Sequence, residues 1–281
     1  MEDLGRREGG LNLRLLSWNL FHGRDFPPGG RARDLTWRVT GRPERRGDHV
    51  LVNRSLEGAF RQVLGGIEWD VALLQEVPPS WADRLAAATG AEARFAPTSR
   101  NWMSLFTRSV WTRRPHLIGS WEGGGNLILV RRGGGVVIGD SGSSLLTRTP
   151  ERRVVQYVRF EDGPDVYNLH ASSGPTGSTR DVLAAARYAD RNSDRRPFVF
   201  GGDLNCRPSG DGPFPELSQR FGLETPPPGM ADSIDHLLAR GLEMVDPPRL
   251  LDAESREVID PATGLRIRLS DHPPVVARFG T

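Results

Sequence analysis

The sequence contains no lysine, and its 37 positively charged side chains are all arginine. Arginine can bind two phosphate oxygens at once through its planar guanidinium group, whereas lysine offers a single point charge. A complete lack of lysine nevertheless indicates a nucleotide bias in the genome rather than selection for one ligand. The formal net charge of +2 is also small, so it neither requires nor excludes a polyanionic partner.

Thiols and long apolar segments are scarce as well. Cys206 is the only cysteine in the 281 residues, which excludes an internal disulfide and a zinc site built from several thiols. No segment approaches the roughly 18 consecutive apolar residues of a membrane-spanning helix. The polar N-terminus, MEDLGRREGG, does not have the pattern of a secretion signal. We therefore expect a cytoplasmic protein in a reducing compartment, with no membrane span.

The composition is typical of a folded globular protein. Hydrophobic residues make up 37% of the chain and charged residues 26%, which is enough to build a sizeable core. No segment is long enough to act as a linker between two domains, so we predict a single domain over residues 1–281. Residues 1–11 are expected to be flexible, and residues 27–50 are expected to form a loop insertion rich in arginine, glycine and proline.

Short apolar runs that end in a polar side chain are the most informative local pattern. Such runs predict buried strands whose ends reach the surface, and they occur at 13–20, 69–77, 165–174, 196–205, 233–240 and 269–279. The polar residues at these ends are Asn19, Glu76, His170, Asp203, Asn205, Asp235, Asp271 and His272. Because ligands and catalytic groups gather where strands leave a sheet, this accumulation predicts a functional site.

The segments between these strands predict the remaining elements. Apolar residues recur at helical spacing from Leu51 to Leu64, with glycines after them as a stop, and residues 179–192 form a second helix candidate. Residues 91–160 alternate short strand-like runs with glycine clusters, as antiparallel meanders do. The sequence therefore predicts a mixed α/β fold.

The strand ends carry motifs that resemble those of the endonuclease/exonuclease/phosphatase superfamily. SWNL resembles its first-strand motif, LQEV the motif of its metal-binding glutamate, and GDLN its Asp-x-Asn motif. NLH, IDHLL and SDHPPV resemble the motifs of its first histidine, its penultimate aspartate and its terminal Asp-His pair. The motifs follow the family order along nearly the whole chain. The resemblance implies a four-layer αββα sandwich of two mainly antiparallel β-sheets flanked by helices, with the active site at one edge.

The resemblance also implies roles that suit the hydrolysis of a phosphoester, which needs a cation, an oriented water and hydrogen-bond donors to phosphate. Glu76 would bind a divalent metal, with Asn19 and Asp271 contributing to its site. Oxygen ligands of this kind favour Mg²⁺, with Mn²⁺ as a substitute. Asp203 would orient or deprotonate the attacking water. Asn205 would bind a phosphate oxygen, because residues two apart on a strand share a face.

The remaining implied roles concern the phosphate. His272 would contact it, and Asp235 would accept a hydrogen bond from the other ring nitrogen of His272 and so fix its tautomer. His170 would be a second donor. Contacts to the substrate are assigned to Asn168 and Arg153, with Arg152 an equal candidate by spacing.

Several other reactive side chains are placed outside the site by this interpretation. They are His22, His49 and His116, together with His236, which would satisfy a core carbonyl, and Cys206, which is interpreted as a packed thiol.

We predict a hydrolase of phosphoester bonds, and more specifically a metal-dependent phosphodiesterase that hydrolyses nucleic acid as a monomer. A phosphomonoesterase or a lipid-headgroup phosphodiesterase of the same superfamily is the alternative. Phe21 lowers the expectation of an abasic-site endonuclease, since those enzymes have an aspartate at this position. A binding module that has lost turnover is disfavoured, because every motif keeps its catalytic residue. The arginine-rich residues 30–46 would be either a solvated loop or a nucleic-acid contact.

Overall fold

The computed structural model describes residues 10–30, 40, 42–98, 115–118, 123–149, 151–209 and 212–280. Two large β-sheets form its centre. The first has six strands, which lie in the order β12 (Glu243–Leu250), β15 (Val275–Gly280), β1 (Asn12–Asn19), β4 (Val71–Val77), β6 (Gly124–Arg131) and β5 (Ala91–Thr98). The second has five, in the order β11 (Asp235–Arg240), β10 (Phe198–Asp203), β9 (Asp165–His170), β8 (Arg153–Phe160) and β7 (Ile138–Thr147).

A small sheet and several helices complete the described part of the chain. The small sheet has the strand order β13 (Glu257–Ile259), β14 (Arg266–Arg268), β3 (His49–Leu51) and β2 (Glu44–Arg46). The helices are α1 (Glu57–Gly66), α2 (Ala82–Thr89), the short α3 (Pro115–Ile118), α4 (Pro175–Asn192) and α5 (Phe214–Phe221). None of the helices in these residues has the length and apolarity needed to cross a lipid bilayer.

Side-chain alternation along β1 divides the core into layers. Leu15 packs between the two large sheets, in one cluster with Val158 and Val199 of the second sheet. Leu16 and Trp18 point to the opposite face and pack with the buried residues of α1 and α2. The outer face of the second sheet is covered in the same way by α4 and α5. Helices, sheet, sheet and helices therefore stack in four layers, which confirms the predicted αββα sandwich.

Strand pairing brings the predicted strand ends to one edge of this sandwich. The parallel pair β1 and β4 places Asn19 beside Gln75, and the parallel pair β9 and β10 places His170 beside Asp203. The antiparallel β11 begins with Asp235 opposite Asp203. The antiparallel β15 begins just after His272 and runs away from the same edge. Parallel strands that end there and antiparallel strands that start there together build the site.

Parts of the sequence-based prediction of local structure are wrong. Leu51 belongs to β3 rather than to a helix, and α1 begins only at Glu57. The predicted loop insertion at 27–50 contains β2 and the start of β3, while its residues 31–39 and 41 lie outside the described residues, as do residues 1–9. Strands of three residues are too short to show alternation, which explains why these were missed.

Candidate active site

Asp203 lies at the centre of the site, 2% exposed, at the end of β10. Its Oδ2 accepts a hydrogen bond from Nδ2 of Asn19 at 2.9 Å, and its Oδ1 accepts one from the backbone N–H of Asn205 at 3.0 Å. Burial, followed by the charge of the neighbouring Asp235, raises the pKa of Asp203 well above its usual range. A carboxylate with a raised pKa is a better proton acceptor than an ordinary aspartate.

His272 and Asp235 form a short hydrogen bond beside Asp203. Nδ1 of His272 lies 2.7 Å from Oδ2 of Asp235. Burial alone would lower the pKa of His272, but attraction and hydrogen bonding to Asp235 outweigh it and raise that pKa to about 10. The ring is therefore an imidazolium at neutral pH. Its Nε2–H group lies 3.9 Å from Oδ2 of Asp203 and 3.9 Å from Oδ1 of Asp271, in the same cleft.

Glu76 lies across the cleft, at the end of β4, between two imidazoles. Its Oε2 is 3.2 Å from Nε2 of His22, and its Oε1 is 3.9 Å from Nε2 of His170. Burial would raise the pKa of Glu76, but the neighbouring imidazoles outweigh it and lower that pKa to about 2. Burial, with Arg153 second, lowers the pKa of His170 to about 3. At neutral pH Glu76 therefore carries the charge, and His170 faces it as a neutral ring.

The backbone around these side chains is held by hydrogen bonds from the core. Ser270, at φ 60°, donates from Oγ to the carbonyl of Asn19 at 2.6 Å and accepts from the N–H of His272 at 3.0 Å. The buried Trp18 donates from its indole nitrogen to the carbonyl of His272 at 2.9 Å. Asn19 in turn accepts from the N–H of Phe21 at 2.9 Å. The site is thus fixed by the first sheet and its core.

The donor set suits a hard divalent cation. Ligand atoms of Asp203, Asp235 and His272 all lie within 4.8 Å of one another, and Oδ1 of Asp235 has no hydrogen-bond partner among the described residues. Glu76 and Asp271 add partly exposed carboxylates, with 21% and 25% of their side chains accessible. The sequence assigned the metal to Asn19, Glu76 and Asp271, a set different from the cluster with His272. Nδ1 of His272 is already bonded to Asp235, which favours the partly exposed carboxylates of Glu76 and Asp271 as metal ligands.

Two of the expected substrate contacts are placed differently from the prediction. Asn168, 0% exposed, accepts from Gln75 at 2.8 Å and donates to the carbonyls of Leu74 and Leu127, so it joins the two large sheets inside the core. The assignment of Asn168 to the substrate is therefore wrong. Asn205 lies beyond the end of β10 at φ 51°, and its Nδ2 donates to the carbonyl of Ala171 at 3.0 Å. It approaches the site through a left-handed turn, not through strand alternation as the sequence suggested.

The two arginines left open by the sequence are separated by the structure. Arg152 is exposed, whereas Arg153 is 5% exposed, begins β8 and acts electrostatically on His170. Arg153 also pairs with Glu151 at 2.6 Å, while its Nε and Nη1 have no partner among the described residues. Arg153 is thus the one that lies with the candidate active site.

The placement of the remaining histidines corrects the sequence analysis at one position. His49 pairs with Asp48 and Glu257 on the small sheet, and His116 pairs with Asp25, so both lie outside the site as expected. His22, which was also excluded, lies against Glu76 instead. The signal that could have found it is its position three residues after Asn19, directly before a glycine that permits a tight turn.

His236 and Cys206, which the sequence also placed outside the site, lie next to it and do not contribute a side chain to it. His236 is bonded through Nε2 to the carbonyls of Cys206 and Ser233 at 3.1 and 3.0 Å. Burial raises the pKa of the Cys206 thiol to about 12, which keeps it protonated and unreactive at neutral pH.

Solved structures with the same fold share little sequence with this chain. A mannosyl-6-phosphatase from Bacteroides thetaiotaomicron superposes with a TM-score of 0.62 at 15% identity, covering 95% of this chain and 99% of its own. An endonuclease/exonuclease/phosphatase family protein from the same organism gives 0.62 at 15% identity, with 96% and 98% covered. TDP2 from Caenorhabditis elegans gives 0.56 at 16% identity, with 99% and 78% covered.

Sequence comparison identifies the family of the chain. No curated protein sequence matches the chain significantly. The model of the endonuclease/exonuclease/phosphatase family matches residues 16–272, which include every motif from SWNL to the Asp271–His272 pair. The chain therefore belongs to the endonuclease/exonuclease/phosphatase family and is a hydrolase of phosphoester bonds.

Proposed function

We propose that the protein is a divalent-metal-dependent phosphodiesterase whose substrate is nucleic acid. The observation that carries the proposal is the convergence of Asp203, Asp235 and His272 within 4.8 Å, in one cleft with Glu76. A proton acceptor, a cationic hydrogen-bond donor and a partly exposed carboxylate are the groups that phosphoester hydrolysis requires.

The metal assignment is part of this proposal. Enzymes of the family generally use divalent metals, and Glu76, Asn19 and Asp271 would hold the ion here. Their oxygen donors suit Mg²⁺, with Mn²⁺ as a substitute. When bound, such an ion polarises a phosphoryl oxygen and offsets negative charge in the transition state.

Asp203 is assigned the proton-accepting role in the attack on phosphorus. Its Oδ2 lies 3.5 Å from Nε2 of His170 and 3.9 Å from Nε2 of His272, at the bottom of the cleft. A water bound to this oxygen would give up its proton as it attacks. The hydrogen bond from Asn19 fixes the orientation of the carboxylate.

His272 is assigned the donation of a hydrogen bond to the phosphate, and Asp235 holds its ring. Because Nδ1 is committed to Asp235, the Nε2–H group is the one that points into the cleft. An imidazolium in this position stabilises negative charge as it develops on phosphate oxygens. His170, Arg153 and the amide of Asn205 are further donors beside it.

Nucleic acid is the proposed substrate class, and the arginine-rich residues 30–46 are the proposed contacts to its phosphates. Residues 42–46 form the described end of the arginine-rich stretch, and β2 within it belongs to the small sheet. Strand β14 of that sheet leads directly into Ser270 and His272. Arg46 is paired with Glu44 at 2.6 Å, so a phosphate would have to compete for it. Arg31, Arg33 and Arg38 lie outside the described residues.

A phosphomonoester is the second candidate substrate. The structural similarity to a mannosyl-6-phosphatase favours it, because that protein covers 95% of this chain. A phosphorylated sugar would use the same base and the same donors.

A substrate panel tests the proposal. The metal-free protein is incubated with and without Mg²⁺ on plasmid DNA, single-stranded DNA, RNA, sugar phosphates and inositol phosphates. Metal-dependent cleavage of a nucleic acid supports the proposal, and release of phosphate from sugar phosphates alone would replace it with the second candidate. An Asp203→Asn preparation serves as the control for contaminating nucleases.

Salt dependence tests the role of the basic segment. Each arginine that neutralises a duplex phosphate adds about −0.9 to the slope of log affinity against log salt. We expect the Arg42→Ala, Arg45→Ala, Arg46→Ala triple variant to bind DNA more weakly and with a flatter slope. The matched control replaces Arg187, Arg191 and Arg195, which are exposed near the opposite edge, where β10 begins. Equal slopes for both triple variants would show that residues 42–46 do not contact DNA.

A further inference from the structure

We infer that His22 is a positioning residue that orients the Glu76 carboxylate for the divalent ion. The inference rests on the proposed function, since it assigns the ion to Glu76. Nε2 of His22 lies 3.2 Å from Oε2 of Glu76, and the imidazole is the more deeply buried partner, with 5% of its side chain accessible against 21%. In this contact Nε2 of His22 faces Oε2, and Oε1, which lies 3.9 Å from Nε2 of His170, is the oxygen left for the ion.

The backbone of both partners is in an unusual conformation. His22 has φ 51° and ψ 33°, and it is flanked by Phe21 at φ 49° and Gly23 at φ 71°. Glu76 has φ 51° and lies where the pairing of β4 with β6 shifts register between Leu74 and Val77. Non-glycine residues in the left-handed region are costly and persist only where the surroundings enforce them. His22 and Glu76 contact each other, and both have this costly backbone conformation. We infer that the surrounding structure holds the two residues in contact.

Two neighbouring contacts show how this turn is enforced. The N–H of Phe21 is held by Oδ1 of Asn19 at 2.9 Å. A Cβ on Gly23 would lie 2.3 Å from Cη2 of Trp81, so the chain can follow this path only with glycine there. The conformation of this turn therefore fixes the His22 ring in contact with Glu76.

Gly124 at the start of β6 leaves room for the ring. A Cβ at this position would lie 3.0 Å from Cε1 and 3.3 Å from Nδ1 of His22, but 3.8 Å from Cα of Glu76, which is an ordinary contact. The backbone of Gly124 is not in the left-handed region, so alanine fits it without strain. The substitution Gly124→Ala would therefore displace the His22 ring without changing the ring itself or the Glu76 carboxylate.

Direct binding of Mn²⁺ to the metal-free protein tests the inference. Free Mn²⁺ is measured by electron paramagnetic resonance, and thermal melting in EDTA checks that each variant folds. Outer groups that orient a metal ligand typically contribute 10- to 100-fold to affinity. We therefore expect His22→Phe, which fills the space but donates nothing, to weaken Mn²⁺ binding at least about tenfold. His22→Gln, which can donate from Nε2, should recover part of this loss.

A double-mutant cycle gives the second readout. Gly124→Ala should weaken Mn²⁺ binding in the parent protein and have no effect in a His22→Ala background, where the ring is gone. An equal effect of Gly124→Ala in both backgrounds, or full affinity in His22→Phe, would overturn the positioning role while leaving the metal site intact. A parent protein that binds no Mn²⁺, and hydrolyses its substrate in chelator, would overturn the metal-dependent function and this inference with it.

Discussion

Asp203 combines deep burial with a neighbouring negative charge, and this combination has opposite effects on activity and on stability. Burial and Asp235 raise its pKa, which makes it a stronger base in the folded protein. The same surroundings make its charged form costly to bury. Each effect can be measured with one isosteric substitution.

Asp203→Asn should abolish most of the activity. The amide keeps the shape, and its oxygen can accept from one of the two N–H donors at this position, Asn19 or Asn205, but it cannot accept a proton from water. We expect kcat on a chromogenic phosphodiester to fall by a factor of about 10² to 10⁴, with folding intact by circular dichroism. A kcat within about twofold of the parent would mean that Asp203 has a structural role only.

The same substitution should make the stability of the metal-free protein less dependent on pH. With a folded-state pKa above the unfolded value of about 3.9, the folded protein binds more protons between these values, so stability falls as pH rises. Asp203→Asn removes this penalty. In EDTA the melting temperature of the parent should fall more than that of the variant between pH 5 and pH 8, so the difference shifts in favour of the variant as pH rises. Asp162→Asn, at an exposed carboxylate, is the control, and should change little at either pH.

At the scale of elements, β10 lies so close to its two neighbouring strands that Gly201 and Gly202 have no room for a side chain. Gly202 has φ 126°, and a Cβ there would lie 2.0 Å from the carbonyl oxygen of Leu169 on β9. A Cβ on Gly201 would lie 2.6 Å from the carbonyl oxygen of His236 on β11. These close approaches bring His170 and Asp235 to either side of Asp203.

Gly202→Ala should therefore be strongly destabilising. Backbone strain and the clash with Leu169 together predict a loss of about 3 kcal/mol or more in the free energy of unfolding, measured by urea denaturation with tryptophan fluorescence. Gly58→Ala is the matched control, because nothing lies within 4 Å of its Cβ position in the first turn of α1. Alanine there should be neutral or slightly stabilising. Similar losses in the two variants would contradict the close strand contact.

The sequence predicts the strands well wherever a long apolar run ends in a polar residue. Asn19, Glu76 and Asp203 could be assigned to one edge because apolar runs and family motifs agree on the ends of β1, β4 and β10. Apolar runs do not predict where the backbone adopts a left-handed conformation. Asn205 and His22 reach their places through positive φ angles, which depend on contacts with Asp203, Asn19 and residues distant in sequence. Helix α5 was missed because prolines surround and begin it.

The same limit applies to buried polar side chains. Asn168 carries the motif of a site residue, yet it satisfies carbonyls of the opposite sheet. Only the packing of two sheets against each other determines whether such an amide faces the cleft or the core. The prediction of one domain over residues 1–281, and those of a monomer and of a cytoplasmic location, stay predictions.

At the scale of the whole molecule, many arginines serve the fold rather than a ligand. Arg159 and Arg196 both bind the buried Asp165, at 2.9 and 3.2 Å, and Arg240 pairs with Asp190. The chain has 35 acidic residues against its 37 arginines, which gives a net charge of only +2. Arg153, whose Nε and Nη1 have no partner among the described residues, is the arginine that we propose contacts the substrate.

We propose that Glu76, with Asn19 and Asp271, holds the divalent ion that phosphoester hydrolysis needs. The most direct test is the rate of hydrolysis of a chromogenic phosphodiester by protein stripped with EDTA, followed as Mg²⁺ is added back, for the parent and for Glu76→Gln. We predict no hydrolysis in chelator, full recovery of the parent with Mg²⁺ and no recovery of Glu76→Gln at the same concentrations. Full activity of the parent in chelator, or a Glu76→Gln variant that responds to Mg²⁺ like the parent, would contradict the account.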